Sequence, residues 1–360
     1  MAKILKFSNK LICVTFILAI TLGFATIVRG TKDLVLLFFA TLAGIDFCQS
    51  SVSFLSKRVA VLLVYCFASY GYFFDLFWKK TPLHFIGIVF LGIGIGGIFY
   101  VTSKELSWQF CAAANHKHRK IVLYILATIP FLCWLFNLYT AWSNIICNLL
   151  LMFVGLILCL VLPKEHKEAI IPNIEHKTHT KNRRKISVFF FMIASSCSLT
   201  WTIINQNSFI FQYSQLNIML LAGIILGPSI ILALVSKKGI YSGCVLLIFM
   251  SEISLMCISL YSHMAYGPLL GFIGFGLLIT STLTLCPILT YYMLGPTDFS
   301  NNYARVIKSL FMGFAPSFLL SKCPLYIINS PEFIFAVIFL LLGSFFAVFS
   351  AWNNRLVLLK

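Results

Sequence analysis

Charged side chains are scarce in this sequence: they make up 10% of its 360 residues, whereas about a quarter is usual in a soluble protein. Hydrophobic residues make up 60%. A chain of this composition cannot cover itself with a water-soluble surface, which excludes an ordinary soluble enzyme or binding domain. Because lipid offers the backbone no hydrogen bonds, continuous apolar runs of about 20 residues predict membrane-spanning helices rather than barrel strands.

Motifs of several functional classes are also missing. The twelve cysteines include no CxxC pair and lie mostly within apolar runs, so we interpret them as small buried apolar residues. No Walker motif occurs, so nothing indicates ATP-driven transport by this chain alone. The histidines of the basic loops lack cysteines or carboxylates at ligand spacing, and we predict no metal and no cofactor.

Twelve apolar segments are long enough to form helical spans. They cover residues 11–28, 34–55, 59–78, 83–103, 121–138, 142–162, 187–205, 215–235, 240–262, 267–293, 304–321 and 332–352. The first follows three lysines but has no A-x-A-like cleavage site, so we interpret it as a retained helix. The sequence therefore predicts an all-α polytopic membrane protein with a six-helix bundle at 1–162, a basic linker at 163–186 and a second six-helix bundle at 187–360.

The lysines and arginines indicate the orientation of these spans. Of the 27 in the chain, 22 lie in alternate loops that include the N-terminus, the linker and the C-terminus. Such loops face the cytoplasm in most membrane proteins. Their position between apolar runs indicates contact with the bilayer surface and not with nucleic acid, despite a net charge of +17. We therefore expect both termini and the linker on the cytoplasmic side.

The two halves carry matching segments at one spacing. Ser56-Lys57-Arg58, after the second span, matches Ser236-Lys237-Lys238, after the eighth, at an offset of 180 residues. Gly94 and Gly96 of the fourth span match Gly274 and Gly276 of the tenth at the same offset. Two matches at one offset, in spans of the same direction, predict a parallel duplication of a six-helix unit.

With two six-helix halves, a basic central loop and a glycine-rich fourth span reading FLGIGIGGIFYVTSKEL, the chain resembles the major facilitator superfamily of transporters. The loop SFLSKR keeps only the basic pair of that family's usual motif. The resemblance implies secondary active transport of an unknown small solute by alternating access, in which two half-bundles rock about a midplane site. It also implies that the seventh and tenth helices line the cavity. We expect the chain to act as a monomer in the bilayer.

Two acidic residues, Asp46 and Glu252, lie near the midpoints of predicted spans, and Gln49 lies close to Asp46. A charge at the bilayer centre costs about 3 kcal/mol on insertion scales, so an acid there is buried, hydrogen-bonded or protonated. One interpretation is a site for a coupling proton or cation. The other is a neutral carboxyl group that holds helices together.

The remaining candidates are small or polar residues within spans. Gly94 can serve close helix packing, and the resemblance adds a place in the cavity wall. Ser198, Trp201 and Asn205 lie in the seventh span, Ser281 and Thr284 in the tenth, and Asn137 in the fifth. Hydroxyl groups can also bond to their own helix backbone, which is the structural alternative for about half of the hydroxyls in these spans.

Three functional classes fit these features. A secondary transporter explains the duplication and the midspan acids. A transporter-like sensor or regulatory protein is the first alternative. A membrane transferase is the second, but it needs His, Asp or Glu clustered at one membrane face, and the outward loops hold little besides Asp75, Lys79, Lys80 and His84. We therefore predict a transporter and not an enzyme.

Overall fold

The computed structural model describes residues 2–24, 31–78, 81–112, 120–130, 145–162, 176–206, 214–261, 264, 266–316 and 324–358. These residues form helices and their short connections, with no strand among them. The chain divides into two compact units, Met1–Ile171 and Pro172–Lys360. The division falls between the sixth and seventh predicted spans.

Unit 1 is organised around its fourth helix. Its helices are α1 (Ala2–Phe24), α2 (Thr31–Phe54), α3 (Lys57–Trp78), α4 (Leu83–Ala112), α5 (Lys120–Pro130) and α6 (Ile145–Val161). Helix α4 contacts α1, α2 and α3. These contacts place its glycine-rich stretch inside the unit.

Unit 2 is organised around α10. Its helices are α7 (His176–Gln206), α8 (Ser214–Lys238), α9 (Ile240–Ser259), α10 (Gly267–Met312), α11 (Leu325–Ile328) and α12 (Pro331–Leu358). Helix α10 is interrupted at Gly295, whose φ of 80° and ψ of 171° suit a residue without a side chain. The parts on either side of Gly295 correspond to the tenth and eleventh predicted spans.

Every predicted span coincides with a helix over nearly all of its described residues; the exceptions are the last one or two described residues of the second, sixth and ninth spans and the turn at 313–315. Within that part of the chain, eight helices are long and apolar enough to cross a membrane, and three apolar helices are shorter: Lys10–Phe24, Lys120–Pro130 and Asn148–Val161. Parts of the first, fifth, sixth and eleventh predicted spans, and the last residue of the ninth, lie outside the described residues. The predicted fold class, all-α with twelve spans in two repeats, is confirmed.

Several helices are longer than their predicted spans. Helix α1 begins at Ala2 instead of residue 11, α4 continues to Ala112 instead of residue 103, and α7 begins at His176 instead of residue 187. Polar residues end an apolar run without interrupting the backbone hydrogen bonds of a helix. The polar turns of α7 are also held from outside: Arg183 Nη1 donates to Asn302 Oδ1 at 2.7 Å, and Lys185 Nζ donates to Ser350 Oγ at 2.9 Å.

The same pairs of helices are in contact in both units. In unit 1 the pairs are α1–α3, α1–α4, α1–α6, α2–α3, α2–α4, α3–α4 and α3–α6. In unit 2 each pair recurs six helices later, as α7–α9, α7–α10, α7–α12, α8–α9, α8–α10, α9–α10 and α9–α12. A repeated set of pairs in the same chain order is what a parallel duplication produces.

Glycines mark the tightest of these repeated contacts. A Cβ at Gly44 of α2 would overlap the Ile93 carbonyl oxygen of α4. A Cβ at Gly223 of α8 would likewise overlap the Ile273 carbonyl oxygen of α10. Glycine lets two backbones approach this closely, which is its usual role between membrane helices. Ile93 and Ile273 are 180 residues apart and Gly44 and Gly223 are 179 apart, so the two contacts correspond to within one residue of the offset that the sequence predicts.

Candidate functional site

Helix α2 has a packed face and an exposed face, and Asp46 lies on the exposed one. Gly44 meets α4 on the packed face. Asp46 is exposed, in line with exposed Phe39 and Ser50 at helical spacing, and Gln49 is half-buried. A midspan acid in this position is accessible to whatever medium lies beside α2. The contact between α2 and α4 at Gly44 leaves the Asp46 side chain exposed.

Gly94 faces α3, where a Cβ would overlap Ala68. Its neighbours divide between two helices, since Gly92 lies against Ala40 of α2 and Gly97 lies against Val64 of α3. The glycine-rich stretch therefore packs α4 against both neighbours at once. Gly94 and Asp46 are not brought together, because Asp46 points away from the α2–α4 contact.

Ser198 and Trp201 of α7 differ in exposure. Ser198 is buried, and its hydroxyl donates to the Phe314 carbonyl oxygen at 3.2 Å. Trp201 is 42% exposed, and its ring stacks on Phe275 of α10 with centroids 6.2 Å apart and planes 15° apart. Trp201 is thus an accessible aromatic surface that the α7–α10 contact holds in place.

Ser281 and Thr284 of α10 are both buried, and their hydroxyls bond to backbone carbonyls. Ser281 donates to the Gly227 oxygen of α8 at 3.1 Å, and Thr284 donates to the Thr280 oxygen of its own helix at 2.8 Å. Ser198, Ser281 and Thr284 thus each serve a different backbone oxygen, and the structure does not gather them at one point.

The other candidates are placed less fully. Glu252 of α9 is half-buried on a stripe with exposed Val245 and Phe249. Asn205 lies in the last turn of α7, and its side chain is outside the described residues, as is the whole of Asn137. All ten candidates remain predictions as functional residues.

A polar cluster that the sequence did not predict lies where α3 turns into α4. Its members are Asp33 of α2, Asp75 of α3 and His84 of α4. His84 Nδ1 lies 2.5 Å from Asp75 Oδ1, and His84 Nε2 lies 3.3 Å from Asp33 Oδ2. Asp75 is fully buried and His84 nearly so. This Asp33–His84–Asp75 cluster joins three helices at one end of unit 1.

A second polar contact lies beside this cluster. Asn148 Nδ2 of α6 donates to the Tyr72 hydroxyl at 2.7 Å, and the Tyr72 ring packs on Phe24 of α1 with centroids 4.7 Å apart. Tyr72 lies one turn before Asp75 on α3. The same end of unit 1 therefore contains polar groups from α2, α3, α4 and α6.

An ion cluster at the opposite end of α4 has Glu105 at its centre. Its buried carboxylate accepts from Lys57 Nζ at 2.9 Å and from Lys10 Nζ at 3.1 Å, both through Oε2, and Gln109 Nε2 donates to Oε1 at 2.8 Å. Two ammonium groups at this distance keep the carboxylate ionised. The Glu105 cluster ties α1 and α3 to α4, so each end of α4 has its own charged anchor.

Two members of each cluster could have been found from the sequence. Helices α3 and α4 form an antiparallel hairpin, so residues equally far from its turn face one another. Asp75 precedes Lys79 by four residues and His84 follows Lys80 by four. Lys57 and Glu105 lie further out at similar distances from the turn. The third members, Asp33 and Lys10, come from other helices, and no spacing predicts them.

Neither cluster is built as a metal centre. Among the residues that the structure describes, no group of three or more His, Cys, Asp or Glu side chains could hold a metal ion. In the Asp33–His84–Asp75 cluster the carboxylates meet opposite nitrogens of one ring, so the ligand atoms do not converge on a point. The geometry suits ion pairing or proton binding.

The chain is similar to known proteins in structure but not in sequence. No protein-family model and no curated protein sequence matches the chain. Among solved structures, the chain is similar to the human organic anion transporter MFSD10 (TETRAN), with a TM-score of 0.66 and 12% identity over 95% of this chain and 99% of that one.

Two other solved structures are similar over nearly the whole chain. A bacterial homologue of the iron transporter ferroportin in the outward-facing state gives a TM-score of 0.66 at 10% identity, covering 96% of this chain and 99% of that one. The E. coli fucose:proton symporter FucP gives 0.64 at 10% identity, covering 96% and 98%. The chain therefore has the major facilitator fold, as the sequence resemblance predicted.

Proposed function

We propose that this protein is a secondary active transporter that moves a small solute across the membrane by alternating access. The observation that carries the proposal is the full-length match to three transporters of one fold. The repeated set of helix contacts supports it, because two equivalent units can exchange roles as a binding site opens to one side and then the other. A transferase has no use for this symmetry.

The three similar transporters act on an organic anion, on iron in the case of the ferroportin family, and on fucose with a proton. Transporters of such different solutes share one fold, so the fold supports transport without specifying which solute is moved. We propose coupling to a proton through Asp46, because a midspan carboxyl group on an exposed face can take up and release a proton. The lysine and arginine distribution supports cytoplasmic termini and linker.

The proposed function is tested by exchange across a membrane. A library of organic anions, sugars and divalent metal salts is first screened for compounds that raise the unfolding temperature of the purified protein. Binding at about 100 times Kd stabilises by about 2.7 kcal/mol, which is readily detected. Proteoliposomes loaded with a stabilising compound should then take up its radiolabelled form by counterflow. Compounds that stabilise the protein but never exchange would support a sensor and contradict transport.

A further inference from the structure

The imidazole of His84 is held between two carboxylates. Asp75 Oδ1 lies 2.5 Å from Nδ1, and Asp33 Oδ2 lies 3.3 Å from Nε2. The Asp75 side chain is fully buried, and that of His84 is 11% exposed. Both ring nitrogens therefore face an acidic oxygen in a site with little access to water.

The number of protons on the ring decides whether this arrangement is favourable. A neutral imidazole has one N–H and can donate to only one of the two carboxylates. Its other nitrogen then directs a lone pair at an oxygen that also has lone pairs. One added proton replaces that repulsion with a second hydrogen bond and reduces the negative charge of a buried site.

We propose that the Asp33–His84–Asp75 cluster is a proton-binding site, in which the imidazolium of His84 bridges the two carboxylates. The ligand is a proton from the water at this end of unit 1, which the predicted topology places on the outer side. Any role of this proton in driving transport rests on the proposed function. The binding of the proton to the cluster does not depend on that function.

Four helices contribute groups to the surroundings of the imidazole. Helix α2 contributes Asp33, with the exposed Lys32 beside it, α3 contributes Asp75 and Tyr72, α6 contributes Asn148, and α1 contributes the ring of Phe24. Lys79 and Lys80 lie outside the described residues. Of these groups, the two in ion-pair distance of the ring are both acids, which stabilise a positive charge there.

The proton has a structural consequence for α2. Asp33 lies in the first turn of α2, and Asp46 lies thirteen residues further on, about 20 Å along the helix axis. A protonated His84 holds the start of this helix to α3 and α4. Loss of the proton leaves one carboxylate without its hydrogen bond to the ring, which loosens the end of the helix that carries the proposed coupling acid.

The test is to observe the ring directly. The protein is labelled with ¹⁵N-histidine, reconstituted in bilayers and measured by solid-state NMR at about pH 7.5. An ordinary histidine, with a pKa of about 6.5, is then about ten to one neutral. We expect one imidazolium with both nitrogens protonated in the wild type, and its disappearance in His84→Gln assigns it.

Variants separate the bridge from general folding. Asp75→Asn and Asp33→Asn should each reduce the imidazolium signal, because each removes one of the two carboxylates that the ring bridges. Tyr72→Phe removes the neighbouring hydroxyl but leaves all three members, and it should keep the signal. Thermal unfolding of each variant confirms that the protein is folded. A wild type with no imidazolium at this pH would overturn the proposal, as would a signal that persists in the Asp33→Asn/Asp75→Asn double variant.

The spectra do not depend on transport, so the two proposals can fail separately. A protein that shows the imidazolium but exchanges no solute keeps the proton site and loses the proposed function. A protein that exchanges solute but whose His84 is neutral keeps the function and loses the site.

Discussion

Asp46→Asn is expected to abolish uphill accumulation of the transported compound under an imposed pH gradient while leaving its exchange at equilibrium intact. Asn has the size of Asp but cannot carry a proton between the two sides of the membrane. Asp46 is exposed on α2, away from the contact between Gly44 and α4, so the substitution leaves that contact unchanged. Binding and counterflow should therefore continue while coupling stops.

The measurement compares pH-driven uptake and counterflow in proteoliposomes of each variant. The matched control is Glu332→Gln, which removes an equal charge from an exposed position in the first turn of α12. It should leave pH-driven uptake and counterflow unchanged. The free energy of unfolding should fall by about 0.3–1 kcal/mol, because an acid in the first turn stabilises a helix. A folded Asp46→Asn protein that still accumulates the compound would show that Asp46 has no part in coupling.

The second large effect, a loss of stability, is expected when a single methyl group is added to α4 by Gly96→Ala. At Gly96 of α4 a Cβ would overlap the Thr41 carbonyl oxygen of α2. The overlapped atom belongs to the backbone, so a change of side-chain rotamer cannot relieve the clash. Overpacking of this kind costs about 1–3 kcal/mol, so Gly96→Ala should lower the unfolding temperature by several degrees.

Gly343 provides the matched comparison, because no atom lies within 4 Å of a Cβ built there. Gly343→Ala on α12 should be neutral, or stabilising by up to about 1 kcal/mol through helix propensity. Gly276→Ala, the equivalent of Gly96 in unit 2, should behave like Gly96→Ala, since its Cβ would overlap Leu220 of α8. Equal unfolding temperatures for Gly96→Ala and Gly343→Ala would contradict the close α2–α4 contact.

The fold was predictable because its determinants are local or repeated. Apolar runs located the helices, and the offset between Gly94 and Gly274 predicted the duplication that the helix pairs now show. The ends of helices were less predictable. The polar turns of α7 continue to His176 because Arg183 and Lys185 find partners within unit 2, which hydropathy does not reveal.

The faces of the helices could not be predicted. Lipid is as apolar as the interior of the protein, so the sequence of a membrane helix lacks the polar stripe that marks the outer side of a soluble one. The positions of Asp46 and Glu252 within their spans predicted how deep they lie in the membrane, but not whether their side chains are exposed or buried. The sequence likewise left two roles open for the hydroxyls of Ser281 and Thr284, and only the structure shows that each bonds to a backbone carbonyl.

The charged anchors of α4 are only partly encoded in the sequence. Asp75 and His84 lie at similar distances from the turn between α3 and α4, which relates them to each other but to no third residue. Hairpin register is a physical signal, since two antiparallel helices joined by a tight turn bring such residues opposite one another. Asp33 and Lys10 needed the tertiary structure.

The most direct test of the central claim, alternating access, needs no knowledge of the solute. A single cysteine at residue 46 in a cysteine-free background is exposed to a membrane-impermeant maleimide in sealed vesicles of both orientations. Phe339→Cys is the comparison, because Phe339 of α12 is 72% exposed and apolar, as expected of a lipid-facing residue. The account predicts that Asp46→Cys is labelled from either side of the membrane and Phe339→Cys from neither. Labelling of Asp46→Cys from one side only, or from neither, would contradict it.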